Sequence, residues 1–63
     1  MIYVLVNKQT GNYYMRDING NEEGRCIDTD NISKAKKFDN YKIAVIKSRF
    51  IGGTKYDYIV KAI

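Results

Sequence analysis

Five consecutive apolar residues, Ile2-Tyr3-Val4-Leu5-Val6, leave neither face of a strand free for water, because successive side chains of a strand point to opposite sides. A run of this kind, rich in β-branched residues, predicts a central strand covered on both faces. In a chain of 63 residues the cover must come from very few other elements. A domain of this size buries only about 60% of the surface that its unfolded chain exposes, so one small domain over residues 1–63 is expected, without a deep substrate pocket.

The rest of the pattern supplies the cover. Asn7 to Asn12 has the polar residues and the Gly of a turn, and Tyr13 to Ile18 reads as the returning strand of a hairpin. Strict alternation puts Tyr13 and Met15 on one face and Tyr14, Arg16 and Ile18 on the other. Asn19 to Gly24 is the strongest loop signal, and a short third strand is expected around Arg25 to Asp28. Asp30 or Thr29 can cap a helix that begins near Asn31 and carries Ile32, Ala35 and Phe38 on one face, with Asn40 breaking or bending it. Tyr41 to Ile51 reads as a second helix closed by Gly52-Gly53, with a strand as the other reading of the β-branched run Ile43 to Ile46. Tyr56 to Ile63 reads as a final strand, apolar enough on both faces to lie inside the sheet. The expected fold class is α+β: a small, mainly antiparallel sheet with one or two helices packed on one face, in the order ββ(β)ααβ.

The second helix has two apolar stripes. At 100° per residue, Ile43, Ile46 and Phe50 fall within about 60° of one another, while Tyr41, Ala44, Val45 and Ile51 lie on roughly the opposite side. One stripe can face the sheet. The other is covered either by the first helix and loops or by a partner or a second copy of the chain. Lys47 separates the stripes on one side, and Lys42 with Arg49 on the other.

Charge is unevenly spread. Residues 1–31 sum to −2, residues 32–55 to +6 and the last eight to zero, for a formal net charge of +4. Such a basic segment attracts anionic partners, with an attraction that weakens as salt rises. Lys34, Lys37, Lys42, Lys47 and Arg49 are the candidates for steering a partner, and Tyr41, Val45 and Ile51 for the apolar contact. A solvated lysine surface that maintains solubility is the other reading of the same charges.

Few catalytic chemistries fit this composition. With no His and a lone Cys26, the chain has no intramolecular disulfide, no Cys/His zinc site and no histidine-assisted serine or cysteine nucleophile. Asp17, Asn19, Asn21, Glu23 and Asp28 have the spacing of a calcium loop, but Glu22 stands where that loop needs Gly, so a plain acidic hairpin loop is expected. Neither a cofactor nor a bound metal is expected, and the chain reads as a non-enzyme. Tyr13, Tyr14, Tyr56 and Tyr58, on two expected strands, could instead stack bases beside Lys and Arg, or could be half-buried packing residues. Arg25 beside Cys26 is a weak activator, so a small apolar filler is the expected role of that thiol. No apolar run reaches the roughly 18 residues of a membrane span, and the first residues lack a basic leader or an Ala-x-Ala site, which points to a cytoplasmic protein.

Tyr3-Val4-Leu5 followed by Gly11-x-Tyr13-Tyr14, then Ala35-x-x-Phe38, Ala44 and a closing Tyr58-x-Val60, resembles small proteins of phages and prophages of low-GC Gram-positive bacteria. The commoner pattern has a Trp ahead of the Ala-x-x-Phe element, which this chain lacks. The resemblance implies an accessory phage product, of a kind that often binds and blocks a host enzyme or defence system, as anti-CRISPR proteins do. It carries over no residue roles. The expected function is therefore a phage-encoded inhibitor in the host cytoplasm, which contacts a host protein or ribonucleoprotein such as a CRISPR effector through the basic helical face. The alternative is capture of nucleic acid or of an anionic nucleotide, with Tyr stacking on bases and Lys/Arg pairing with phosphates.

Overall fold

The computed structural model describes residues 1–18, 26–52 and 57–63. The elements are β1 (Tyr3–Asn7), β2 (Tyr13–Asp17), β3 (Cys26–Thr29), a 3-10 turn (Ile32–Lys34), α1 (Tyr41–Gly52) and β4 (Tyr58–Ala62). The four strands form one antiparallel sheet in the order β3-β2-β1-β4. The fold is α+β, with one α-helix among the described residues where one or two were expected. The apolar run occupies an interior strand, and its neighbours Val4 and Leu5, which point to opposite faces, are both 0% exposed.

The β1–β2 turn follows from its residues. Asn7 is buried, and its side-chain carbonyl accepts the Gln9 N–H at 2.9 Å and the Thr10 N–H at 3.4 Å. Gly11 takes φ +78°, a conformation that costs Gly nothing and penalises residues with a Cβ.

Beyond the turn, the segment that was expected to be a first helix becomes extended. Only Ile32–Lys34 makes a helical turn, capped by the Asn31 side chain rather than by Thr29 or Asp30. Ala35 is already extended, and Phe38 exchanges both backbone hydrogen bonds with Tyr3 at 2.8 Å. The Lys36 N–H donates to the Tyr14 carbonyl at 3.0 Å. Strand edges on β1 and β2 thus take up the backbone groups that a helix would have bonded internally. Ala35 and Phe38 still reach the core, while Ile32 stays outside it.

Two further expectations change. The last strand begins at Tyr58 and lies at the border of the sheet, because β2 and β4 occupy the two sides of β1 and nothing among the described residues flanks β4; Tyr56 lies outside the described residues. Between Tyr14 and Arg16 the β2–β3 register shifts by one residue. This bulge breaks the strict alternation and brings Asp17 onto the face of Tyr14, whose hydroxyl donates to Asp17 at 2.9 Å. The core on that face joins Leu5, Tyr14, Phe38, Ala44 and Ile51, with Tyr3, Cys26, Tyr58 and Val60 packed against it.

Candidate functional site

Asn40 starts the helix instead of ending an earlier one. Its side-chain oxygen accepts the Ile43 N–H at 3.2 Å, and its carbonyl accepts the Ala44 N–H at 3.1 Å, which is the bonding of an N-cap. From there α1 turns Ala44, Ser48 and Ile51 toward the sheet. Ala44 and Ser48 are small, so the helix can approach β1 and β4 closely, and the Ser48 hydroxyl bonds back to the Val45 carbonyl at 2.6 Å.

The other stripe therefore points outward. Ile43, Ile46 and Phe50 are 56%, 67% and 65% exposed. This reverses the expected assignment: Ile51, a candidate partner contact, is 1% exposed in the core, and Val45 is half-buried. Tyr41 is exposed at the start of the helix, its ring edge-on to Tyr3 at 5.5 Å. One signal for the correct choice was present in the sequence. Ala44 and Ser48 share a side with Ile51, and close packing of a helix on a sheet favours small residues in just such a row.

The cations divide in three ways. Lys42 and Arg49 are exposed on one flank of the outer strip. Lys47, on the other flank, bonds Asp17 at 2.6 Å, and its ammonium lies 5.3 Å from the Phe50 ring centroid and 5.6 Å from that of Tyr14. Lys37 folds back onto the carbonyls of Ile32, Ser33 and Ala35 at 2.7, 3.1 and 2.9 Å, so it closes the 3-10 turn instead of facing a partner. Lys34 is exposed on that turn, a different element from α1. The helix itself carries Lys42, Lys47 and Arg49 and no acidic residue.

The Lys47 hydrogen bond holds the Asp17 carboxyl below its ordinary value of 3.8, with burial opposing and the Tyr14 hydroxyl adding to the effect. A carboxyl whose folded value is lowered stabilises the fold above its unfolded value, and that contribution is lost as pH falls through the folded one. Both partners are partly exposed, so solvent screens the pair. Lys47→Met is expected to cost a few tenths to about 1 kcal/mol at pH 7 in low salt. In urea titrations the gap from wild type should close as the pH drops below 3.8. A gap that stays the same in acid would assign the effect to the contact of the ammonium with the two rings.

Of the four candidate tyrosines the described ones, Tyr13, Tyr14 and Tyr58, do not share one exposed face. Tyr14 is buried in the core, stacked near Phe38 with ring centroids 6.4 Å apart. Tyr58 donates to both oxygens of Asp28, at 2.8 and 2.9 Å, and its hydroxyl lies 3.0 Å from Cys26 Sγ. Asp28 also accepts from the Asn7 side chain at 3.2 Å and from Cys26 at 3.5 Å. Burial, reinforced by these bonds, pushes the Tyr58 hydroxyl well above the usual phenol range; burial and the Asp17 bond do the same for Tyr14. Burial likewise raises the Cys26 thiol, against the pull of its Tyr58 contact, which leaves it a protonated packing group instead of a nucleophile. Tyr13 is half-buried and adjacent to Tyr14 in β2, so its side chain takes the opposite face. Tyr56 lies outside the described residues.

Most of the acidic loop, Asn19 to Arg25, also lies outside them. Of the acids expected there, Asp17 is bonded to Tyr14 and Lys47, and Asp28 to Asn7, Cys26 and Tyr58. Among the described residues no group of three His, Cys, Asp or Glu could hold a metal ion, and no helix is long and apolar enough to cross a membrane. Compared with known proteins, the chain matches no family model, no curated protein and no solved structure.

Proposed function

We propose that this is a non-enzymatic binding protein that docks through the outer face of α1 onto a partner surface with an apolar centre and an acidic rim. The observation that carries the reading is the exposure of Ile43, Ile46 and Phe50 in one line on a helix that bears three cations and no acid. Exposed apolar side chains in a contiguous row have little to gain from water and supply the desolvated centre of an interface. Lys42 and Arg49 at the flank steer an acidic partner during approach. In the setting the resemblance implies, the partner is a host defence complex such as a CRISPR effector, blocked by occupation of its surface in the host cytoplasm.

The experiment compares three tagged proteins in host lysate, each with and without nuclease: wild type, Ile46→Asp/Phe50→Ser, and Ile32→Ser on the 3-10 turn. A protein partner that survives nuclease, is retained by Ile32→Ser and is lost with the helix variant is the expected result. Loss of all bound material with nuclease would move the reading to nucleic-acid capture. Retention by the helix variant would place the contact elsewhere.

A further inference from the structure

Among the described residues, the border strand β4 is paired along one of its two edges. The Lys8 N–H donates to the Asp57 carbonyl and the Ile63 N–H to the Ile2 carbonyl, both at 2.8 Å. With β1 and β4 paired from Tyr3↔Ala62 to Asn7↔Tyr58, the antiparallel alternation makes residues 57, 59, 61 and 63 turn their backbone groups toward β1. Tyr58, Val60 and Ala62 therefore turn their N–H and C=O groups away from it. Among the described residues no strand pairs with that outer edge. Tyr58 and Val60 pack their side chains under α1, so Asp57, Ile59 and Lys61 lie on the opposite face, all exposed, with Ile59 at 49%.

An open edge is a template for another strand, and proteins commonly guard it with a lysine. Here Lys61 is such a charge, but Asp57 stands four residues before it, with Ile59 midway. Read forward the face is negative, apolar, positive; read backward it is the reverse. The segment is thus complementary to itself in antiparallel orientation.

We propose that β4 is a homodimerisation edge, on which two copies of this chain pair antiparallel about a twofold axis at Ile59. In this register the outward-facing Tyr58 and Val60 of each copy exchange backbone hydrogen bonds with Val60 and Tyr58 of the other. Ile59 meets its own mate, and Asp57 stands opposite Lys61 at both ends. These three side-chain pairs occupy the non-hydrogen-bonded positions of the ladder, where facing side chains come closest. An axis moved to Val60 also aligns the outward-facing groups but sets Ile59 against Lys61 and loses both ion pairs, so charge selects the register. A perpendicular twofold keeps both helices on one side of the joined sheet, so a dimer displays two outer strips together. The contact is confined to one short strand, and the dimer is accordingly weak, with a Kd in roughly the high-micromolar range.

The test is sedimentation equilibrium of the full chain in low salt over about 0.02 to 1 mM. Wild type is expected to show reversible monomer–dimer exchange. Asp57→Lys and Lys61→Asp should each weaken it roughly tenfold, since both ion pairs turn repulsive, and the double swap should restore it. Ile46→Glu, on the outer face of α1, should leave it unchanged. Amide hydrogen exchange gives a readout that needs no variant: protection at Tyr58 and Val60 should rise with protein concentration, while Ile59 and Lys61 stay protected throughout. A monomer over the whole range, single reversals that behave as wild type, a double swap that fails to recover, or protection at 58 and 60 independent of concentration would each overturn the proposal.

Discussion

Replacing Ile51 by Ala is expected to unfold most of the population at room temperature, while Ile46→Ala, five residues earlier on the same helix, should leave stability nearly unchanged. Ile51 is 1% exposed and shares the core with Leu5, Tyr14, Phe38 and Ala44, whereas Ile46 is 67% exposed. Truncating a buried Ile to Ala costs about 2–5 kcal/mol, from lost transfer energy and from the cavity left behind. A single core of this size supplies about 3–5 kcal/mol in total, so the loss is comparable to the whole stability. The same truncation on a solvent-facing position stays within about 0.5 kcal/mol. Urea denaturation followed by far-UV circular dichroism reads both variants directly. The opposite ranking, with Ile46→Ala the damaging change, would mean that the other stripe of α1 faces the sheet and that the proposed docking face is the core.

The second large effect is expected at Asp28. This carboxylate accepts from three donors on β1, β3 and β4: the Asn7 side-chain amide, the Tyr58 hydroxyl, whose one proton is shared between the two carboxylate oxygens, and the Cys26 thiol. Asp28→Ala removes the acceptor and leaves the buried Asn7 amide and the half-buried Tyr58 hydroxyl without it. An unsatisfied buried donor costs about 1–3 kcal/mol, so a loss of about 3 kcal/mol is expected for Asp28→Ala. Tyr58→Phe removes one donor together with its own need for a partner and should cost about 1 kcal/mol. Measured in the Tyr58→Phe background, Asp28→Ala should cost less than it does in wild type, because one of its orphaned donors is already gone. Strictly additive losses would show that Asp28 and Tyr58 act independently and that the bonds between them contribute nothing to the fold.

Much of the architecture was legible in the residues. The run Ile2 to Val6 has apolar side chains at every position, and only an interior strand satisfies that. Asn and Gly in the first turn and the two-stripe pattern of 41–51 are local signals with local physical causes, and each corresponds to an element in the structure, whereas Asn40, read as the break of an earlier helix, caps α1. The segment 31–38 was not legible. Its spacing of Ile32, Ala35 and Phe38 fits a helix, yet its backbone bonds go to Tyr3 and Tyr14, residues distant in sequence. No local rule ranks an internal hydrogen bond against one offered by a strand edge elsewhere in the chain.

The proposed docking site divides in the same way. Sequence alone determined that residues 41–51, if helical, carry two apolar stripes edged by Lys42, Lys47 and Arg49, because that pattern is a property of neighbouring residues; the structure settled helix over the strand that Ile43 to Ile46 also allowed. Only the tertiary structure decided which stripe is free, which of the cations are engaged and which strand borders the sheet. The sheet accepts the stripe with Ala44 and Ser48 because a helix can sit close only where its side chains are small. Lys47 is engaged because a bulge in β2 turns Asp17 toward it, and β4 is left at the border because β2 and β4 take the two sides of β1. Each of these outcomes is a competition between surfaces that meet only after the chain has folded, and it is settled by shape and hydrogen bonding between distant residues.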